Sequence, residues 1–183
     1  MSGSNVSSER ASADADFLSQ SLAVSEVFVF SERAKEKLED FANYLALLSD
    51  PNYDSTFKNY VSQQAADMFD GSQKNMILLD LSEDVKSGQH KAFISSVYNS
   101  EQLRVTETEV SEFEVTQQLI EAGDQLYQGV ISYKLRLAGT HQNEPFNQTY
   151  HLDTQIILRK VPKDFGGDVE NVWEVFLGNI EKK

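Results

Sequence analysis

Apolar side chains recur at every third or fourth position in the first half of the chain and at every second position in the last. In "SERAKEKLEDFANYLALLSD", Ala34, Leu38, Phe41, Leu45 and Leu48 make one stripe of helical period. Ser31 precedes it as a candidate N-cap, so a helix is predicted over Ser31–Leu48. Asp50-Pro51 ends it, because proline lacks an amide proton and restricts the residue before it. A second helix is predicted from Asp54 to Phe69, with Asp54 or Ser55 as cap and Gly71 as stop. Its inward face reads as Phe57, Tyr60, Val61, Ala65, Met68 and Phe69. The short link makes the two a helical hairpin. "NMILLDLS" fits a strand or a helix. In "HKAFISSVYNS", Phe93, Ile94, Val97 and Tyr98 stand at helical spacing and predict a third, short helix.

From Leu103 the period changes to two. "QLRVTETEVSEFEVTQQL" reads as a strand whose register slips near Val110, as a bulge would cause. Glu107, Glu109, Glu112 and Glu114 crowd it on both faces and mark it as an exposed edge, where charge discourages strand-to-strand association. After the turn "EAGDQ", Tyr127, Ile131, Tyr133, Leu135 and Leu137 point one way and Gln128, Ser132, Lys134 and Arg136 the other. "THQNEPFNQ" turns the chain again. Phe146, Tyr150, Leu152, Ile156 and Leu158 then alternate with Asn147, His151, Asp153, Gln155 and Arg159. "PKDFGGDVEN" makes the last loop and "VWEVFLGNI" the last strand. Four long strands joined by turns form an antiparallel meander, and helices followed by strands mean an α+β fold.

Residues 31–183 suffice for a single domain. Residues 1–30 read as a flexible leader or the remainder of a processed one, although "LAVSEVFVF" within Phe17–Phe30 fits a strand or a run-in to the first helix. The formal net charge of −13 repels phosphate backbones and anionic lipid, which argues against nucleic-acid partners. Its plain meaning is solubility, with an acidic docking patch as the alternative. No run approaches the roughly 20 apolar residues that membrane insertion requires. With no cysteine there is no disulfide, thiol nucleophile or thiolate metal site, and the composition assigns no compartment. Sequons at Asn5 and Asn147 matter only in a secreted eukaryotic setting.

Chemical motifs are sparse. His151 and Asp153 share one strand face, the arrangement a general base needs, but that face also carries Gln155 and Arg159 and reads as solvated. His90 and His141 stand far from it in sequence, so no metal site is predicted. "DPNYDS" opens like a calcium loop, yet its sixth position is Ser55 and its twelfth Val61, which removes the sharp turn and the strongest ligand. "DFGG" at Asp164–Gly167 has no glycine-rich or catalytic loop beside it and reads as a hairpin turn. No phosphate-cradling motif is present, and no cofactor is predicted. Tyr127, Tyr133 and Tyr150 project from the apolar faces of the two central strands, where Phe146 and Trp173 can join them. These five are the candidate ligand-pocket residues, with ordinary core packing as the competing reading.

The helices at Ser31–Leu48 and Asp54–Phe69, the short third helix, and the strands from Leu103 to Ile180 together resemble the NTF2-like (cystatin-like α+β roll) superfamily. The resemblance lies in element order and pattern, since no invariant motif defines that family. It implies a curved sheet wrapping the helices into a cone, a small apolar ligand at the open end, and a homodimer through the sheet face. The function expected is non-enzymatic ligand binding or protein assembly. The alternative is a hydratase or isomerase using the cone, for which the inward positions of the two central strands offer only tyrosines and aliphatics.

Overall fold

A computed structural model describes residues 24–183. Among these residues, three helices precede and interrupt the strands: α1 (Val24–Ser49), α2 (Ser55–Asp67) and α3 (His90–Asn99). The strands are β1 (Met76–Leu78), β2 (Gly88–Gln89), β3 (Leu103–Gly123), β4 (Leu126–His141), β5 (Glu144–Asp164) and β6 (Val169–Lys182). They form one curled sheet in the order β2-β1-β6-β5-β4-β3, so the architecture is α+β as predicted.

The predicted stripe of α1 is buried throughout, from Ala34 to Leu48. Its start differs from expectation. The helix is already formed at Val24, and Ser31 lies inside it with its hydroxyl donating back to the Val27 carbonyl (2.9 Å). A serine inside a helix satisfies itself on the preceding turn, so a good capping residue type need not be a cap. The part of the predicted leader from Val24 to Phe30 therefore belongs to the first helix, and residues 1–23 lie outside the described residues. Asp54 does cap α2, accepting from the Phe57 amide at 2.8 Å. Only Val61, Ala65, Met68 and Phe69 of its predicted inward face are buried. Phe57 and Tyr60 are 37% and 63% exposed. Phe57 instead stacks on Tyr53 across the helix start, at 4.5 Å between ring centroids.

The four long strands make the predicted meander, and β3 is the sheet edge that its glutamates suggested. The slip near Val110 falls between Ser111 and Glu114, where Glu112 takes a φ of 52°, and it is one of five irregularities along β3. Each bulge adds twist, and together they let a 21-residue edge strand curl with the sheet. Two glycines of β4 accept the close approach that results. A Cβ on Gly139 would stand 1.9 Å from the Arg104 carbonyl oxygen, and one on Gly129 2.8 Å from that of Gln117. The ambiguous "NMILL" run supplies β1, which pairs parallel with β6 (Ile77 opposite Ile180) and makes the sheet mixed. Helix α1 is tied to β3 by Ser49, whose hydroxyl donates to the Ala46 carbonyl and accepts from the buried Val105 amide at 2.9 Å.

Candidate functional site

The strand register decides where each predicted pocket residue goes. Tyr133 stands opposite Leu152, Tyr150 opposite Leu135 and Tyr127 opposite Leu158, all on the face that meets the helices. Tyr133 is enclosed; its hydroxyl lies 3.1 Å from Thr154 Oγ1 and its ring 6.2 Å from that of Phe113. Burial raises its phenol far above the ordinary tyrosine value, with the Thr154 contact opposing and the Asp153 charge adding to the shift. Tyr150 is buried, its hydroxyl donating to Gln148 Oε1 (2.9 Å), and burial raises its pKa as well. Tyr127 meets Trp173 edge-on at 5.5 Å. Phe146, half-buried, pairs with Gly139 at the other end of β4.

The five aromatics are therefore spread along the sheet. From Tyr127 to Gly139 the strand advances roughly 40 Å. Only Tyr127 and Trp173 are brought into ring contact among them. Towards the start of α1, Ser31, Val115, Leu119, Ile131 and Ile156 border a void of about 10 Å³, room for at most one water. Tyr133, Leu135 and Leu152, midway along the central strands, are buried.

His151 and Asp153 project from the face away from the helices, as the alternation predicted. His151 is exposed, and Asp153 accepts a hydrogen bond from Ser132. On that face Arg136 bonds Glu107 and Glu109 (3.1 Å each), and Lys134 meets Glu112 at 2.6 Å. Among the described residues, no group of three or more His, Asp or Glu is placed to hold a metal ion. Nor is any described helix long and apolar enough to cross a membrane.

Two surface features were not found from the sequence. The first is an apolar end. Ser49 meets the start of β3, whereas Ser31 neighbours Val115 and Leu119, so α1 runs antiparallel to β3 and begins where β3 finishes. At that end Phe28, Val29, Ile120, Phe165 and Val169 are 66, 47, 55, 57 and 68% exposed. Phe165 and Val169 cap a two-stranded arm. The last β4–β5 pair is Leu126–Arg159, but β5 and β6 stay paired out to Asp164–Val169, about 16 Å further. At the root of the arm Lys160 lies over the Trp173 ring (5.2 Å) and Arg159 over Phe176 (4.9 Å), where Arg159 also reaches Asp70 at 3.0 Å. A phenylalanine inside the charged turn "KDFGGD" was the signal for this end, and a turn assignment passes over it. The second feature is a groove of about 560 Å³ at the opposite end, between the ends of α1 and α3 and the start of β3. Its walls come from three separate stretches of the chain, residues 49–58, 98–104 and 140–143, so no local pattern marks it.

Comparison of the chain with protein-family models, with curated proteins and with solved structures gave no match.

Proposed function

We propose that this chain is a non-catalytic, NTF2-like module for protein assembly that engages its partner end-on, through the apolar end. Helices held on a curled mixed sheet are compatible with that roll. The burial of Tyr127, Tyr133 and Tyr150 supports recognition at the surface over a small apolar ligand inside. The observation that carries the reading is the gathering of Phe28, Val29, Ile120, Phe165 and Val169 at one end. Scattered single apolar residues need no explanation, but several on one end, two of them capping a protruding arm, favour an interaction site. A two-stranded ribbon is marginal in water by itself and gains from being packed against something.

The partner's chemistry follows from the rim. Glu26, Glu121, Asp124, Asp164, Asp168 and Glu170 outnumber Arg33, Arg159, Lys160 and Lys163 at this end. An apolar surface bordered by lysine or arginine complements it, whereas a second copy would set like charge against like. The sheet-face homodimer has less in its favour, because it would bury the Arg136–Glu107–Glu109 and Lys134–Glu112 pairs at a desolvation cost.

A photo-reactive phenylalanine analogue at position 165, compared with one at the outer-face Thr149, tests this. A discrete heteromeric adduct is expected from position 165 alone. The identified partner, once purified, should bind Phe165→Ser/Val169→Ser about tenfold or more weakly than wild type, since each lost contact removes on the order of 1 kcal/mol of apolar burial. Equal adducts at both positions, or affinity untouched by the double substitution, would refute end-on engagement.

A further inference from the structure

The groove at the far end combines features that point to a ligand of different chemistry. It is lined by Ser49 at the end of α1, Pro51 after it, Lys58 of α2, Tyr98 and Asn99 of α3, Arg104 of β3, and Thr140 and Asn143 of the β4–β5 hairpin. About 560 Å³ lies within the range of small-molecule sites. In a chain of net charge −13, this groove collects two cations and one acid, Glu101.

Neither of these two cations is held tightly on a carboxylate. On the outer sheet face, by contrast, Arg136 sits on Glu107 and Glu109 at 3.1 Å and Lys134 on Glu112 at 2.6 Å. Lys58 Nζ instead rests over the Tyr98 ring, 5.7 Å from its centroid. Arg104 reaches Asp50 only at 3.8 Å, with the Arg104 side chain 46% and the Asp50 side chain 29% exposed. Asp50 is also committed elsewhere: its Oδ1 accepts from both the backbone and side-chain amides of Asn52, each at 2.9 Å. A pair this long and exposed contributes little, so the guanidinium can exchange Asp50 for a better anion at small cost. A planar fork of donors suits a carboxylate or a phosphate, and a lysine across the groove adds a point charge. Around them the side chains of Gln102, Thr140 and Asn143 offer hydrogen bonds to hydroxyl groups.

We infer that the groove binds a small hydroxylated organic anion, its carboxylate or phosphate held by Arg104 and Lys58. This site is independent of the apolar end, and neither stands or falls with the other.

The test is an amide chemical-shift titration of the whole chain at constant ionic strength. Inorganic phosphate and citrate are the two probes, and chloride the control. Saturable shifts are expected at residues 98–104 and 140–143 with at least one probe. Whichever anion saturates first identifies the source chemistry. Arg104→Gln should weaken that binding about tenfold or more, and Lys58→Gln less. Arg104→Lys should restore phosphate binding better than citrate binding, because it keeps the charge and loses the fork. Both side chains are solvent-accessible, and unchanged spectral dispersion will confirm that the variants fold. Shifts linear in concentration, shifts matched by chloride, or saturation unaltered in Arg104→Gln would each overturn the assignment.

Discussion

Replacing Tyr133 with phenylalanine and Thr154 with valine, singly and together, asks whether the middle of the roll is solid. Thr154 is fully buried and Tyr133 nearly so, and their oxygens are 3.1 Å apart. Tyr133→Phe removes one oxygen and leaves the ring in place, so little packing is lost. It does strand the fully buried Thr154 hydroxyl, at a cost of about 1–3 kcal/mol. Thr154→Val strands the phenol instead, at a cost in the same range. With both changed, two apolar groups of unaltered shape face each other and neither is deprived. The double variant should lie within about 1 kcal/mol of wild type. Coupling between the sites should then be about 2 kcal/mol or more, at the upper end for residues in contact. Urea unfolding at 25 °C, analysed by linear extrapolation with a common slope, reads this directly. Additive effects, each below about 0.5 kcal/mol, would refute the reasoning. They would mean that the hydroxyls are hydrated and that Tyr133 stands in a cavity, which would restore the ligand-pocket reading of the central strands.

Ser49→Ala removes the acceptor of the buried Val105 amide and should destabilise the protein by about 1–3 kcal/mol, with faster amide exchange at Val105 than in the middle of β4. His90, buried with its ring stacked 4.8 Å from Phe69 and Nδ1 3.4 Å from the Asn75 carbonyl oxygen, has its pKa lowered chiefly by burial, against the opposing Asn75 contact. Its neutral form is the one the fold accepts, so its contribution is fully present above about pH 6.5 and is lost as pH falls from there towards the lower folded-state value. Urea midpoints between pH 7.5 and 5 should show that loss in wild type with a slope of up to about 1.4 kcal/mol per pH unit, and a smaller slope in His90→Gln. Equal slopes would remove His90 as the cause.

The boundary between what sequence and tertiary structure each decide follows the range of the interactions involved. Local period was enough for the α1 stripe, the Asp54 cap, α3, the alternation on β4 and β5, and the solvated placement of His151. The edge position of β3 was legible too, because a strand with glutamates on both faces cannot be sandwiched. Each of these depends on residues within one or two turns or one strand width of each other. The parallel pairing of Ile77 with Ile180 joins segments about a hundred positions apart, and a three-residue strand has no period of its own to announce it. Whether Ser31 caps a helix or lies within one depended on residues before it. Whether Phe57 and Tyr60 face inward depended on how much of α2 the sheet and α1 leave room to cover. The aromatic faces of the central strands were read correctly, but a face does not say whether helices fill the space beneath it. Sheet curl set that space, and the bulges of β3 with the close passage over Gly129 and Gly139 set the curl. The groove and the apolar end belong to the same class. They exist only where the ends of several elements meet, and composition and periodicity along one chain carry no record of which ends those will be.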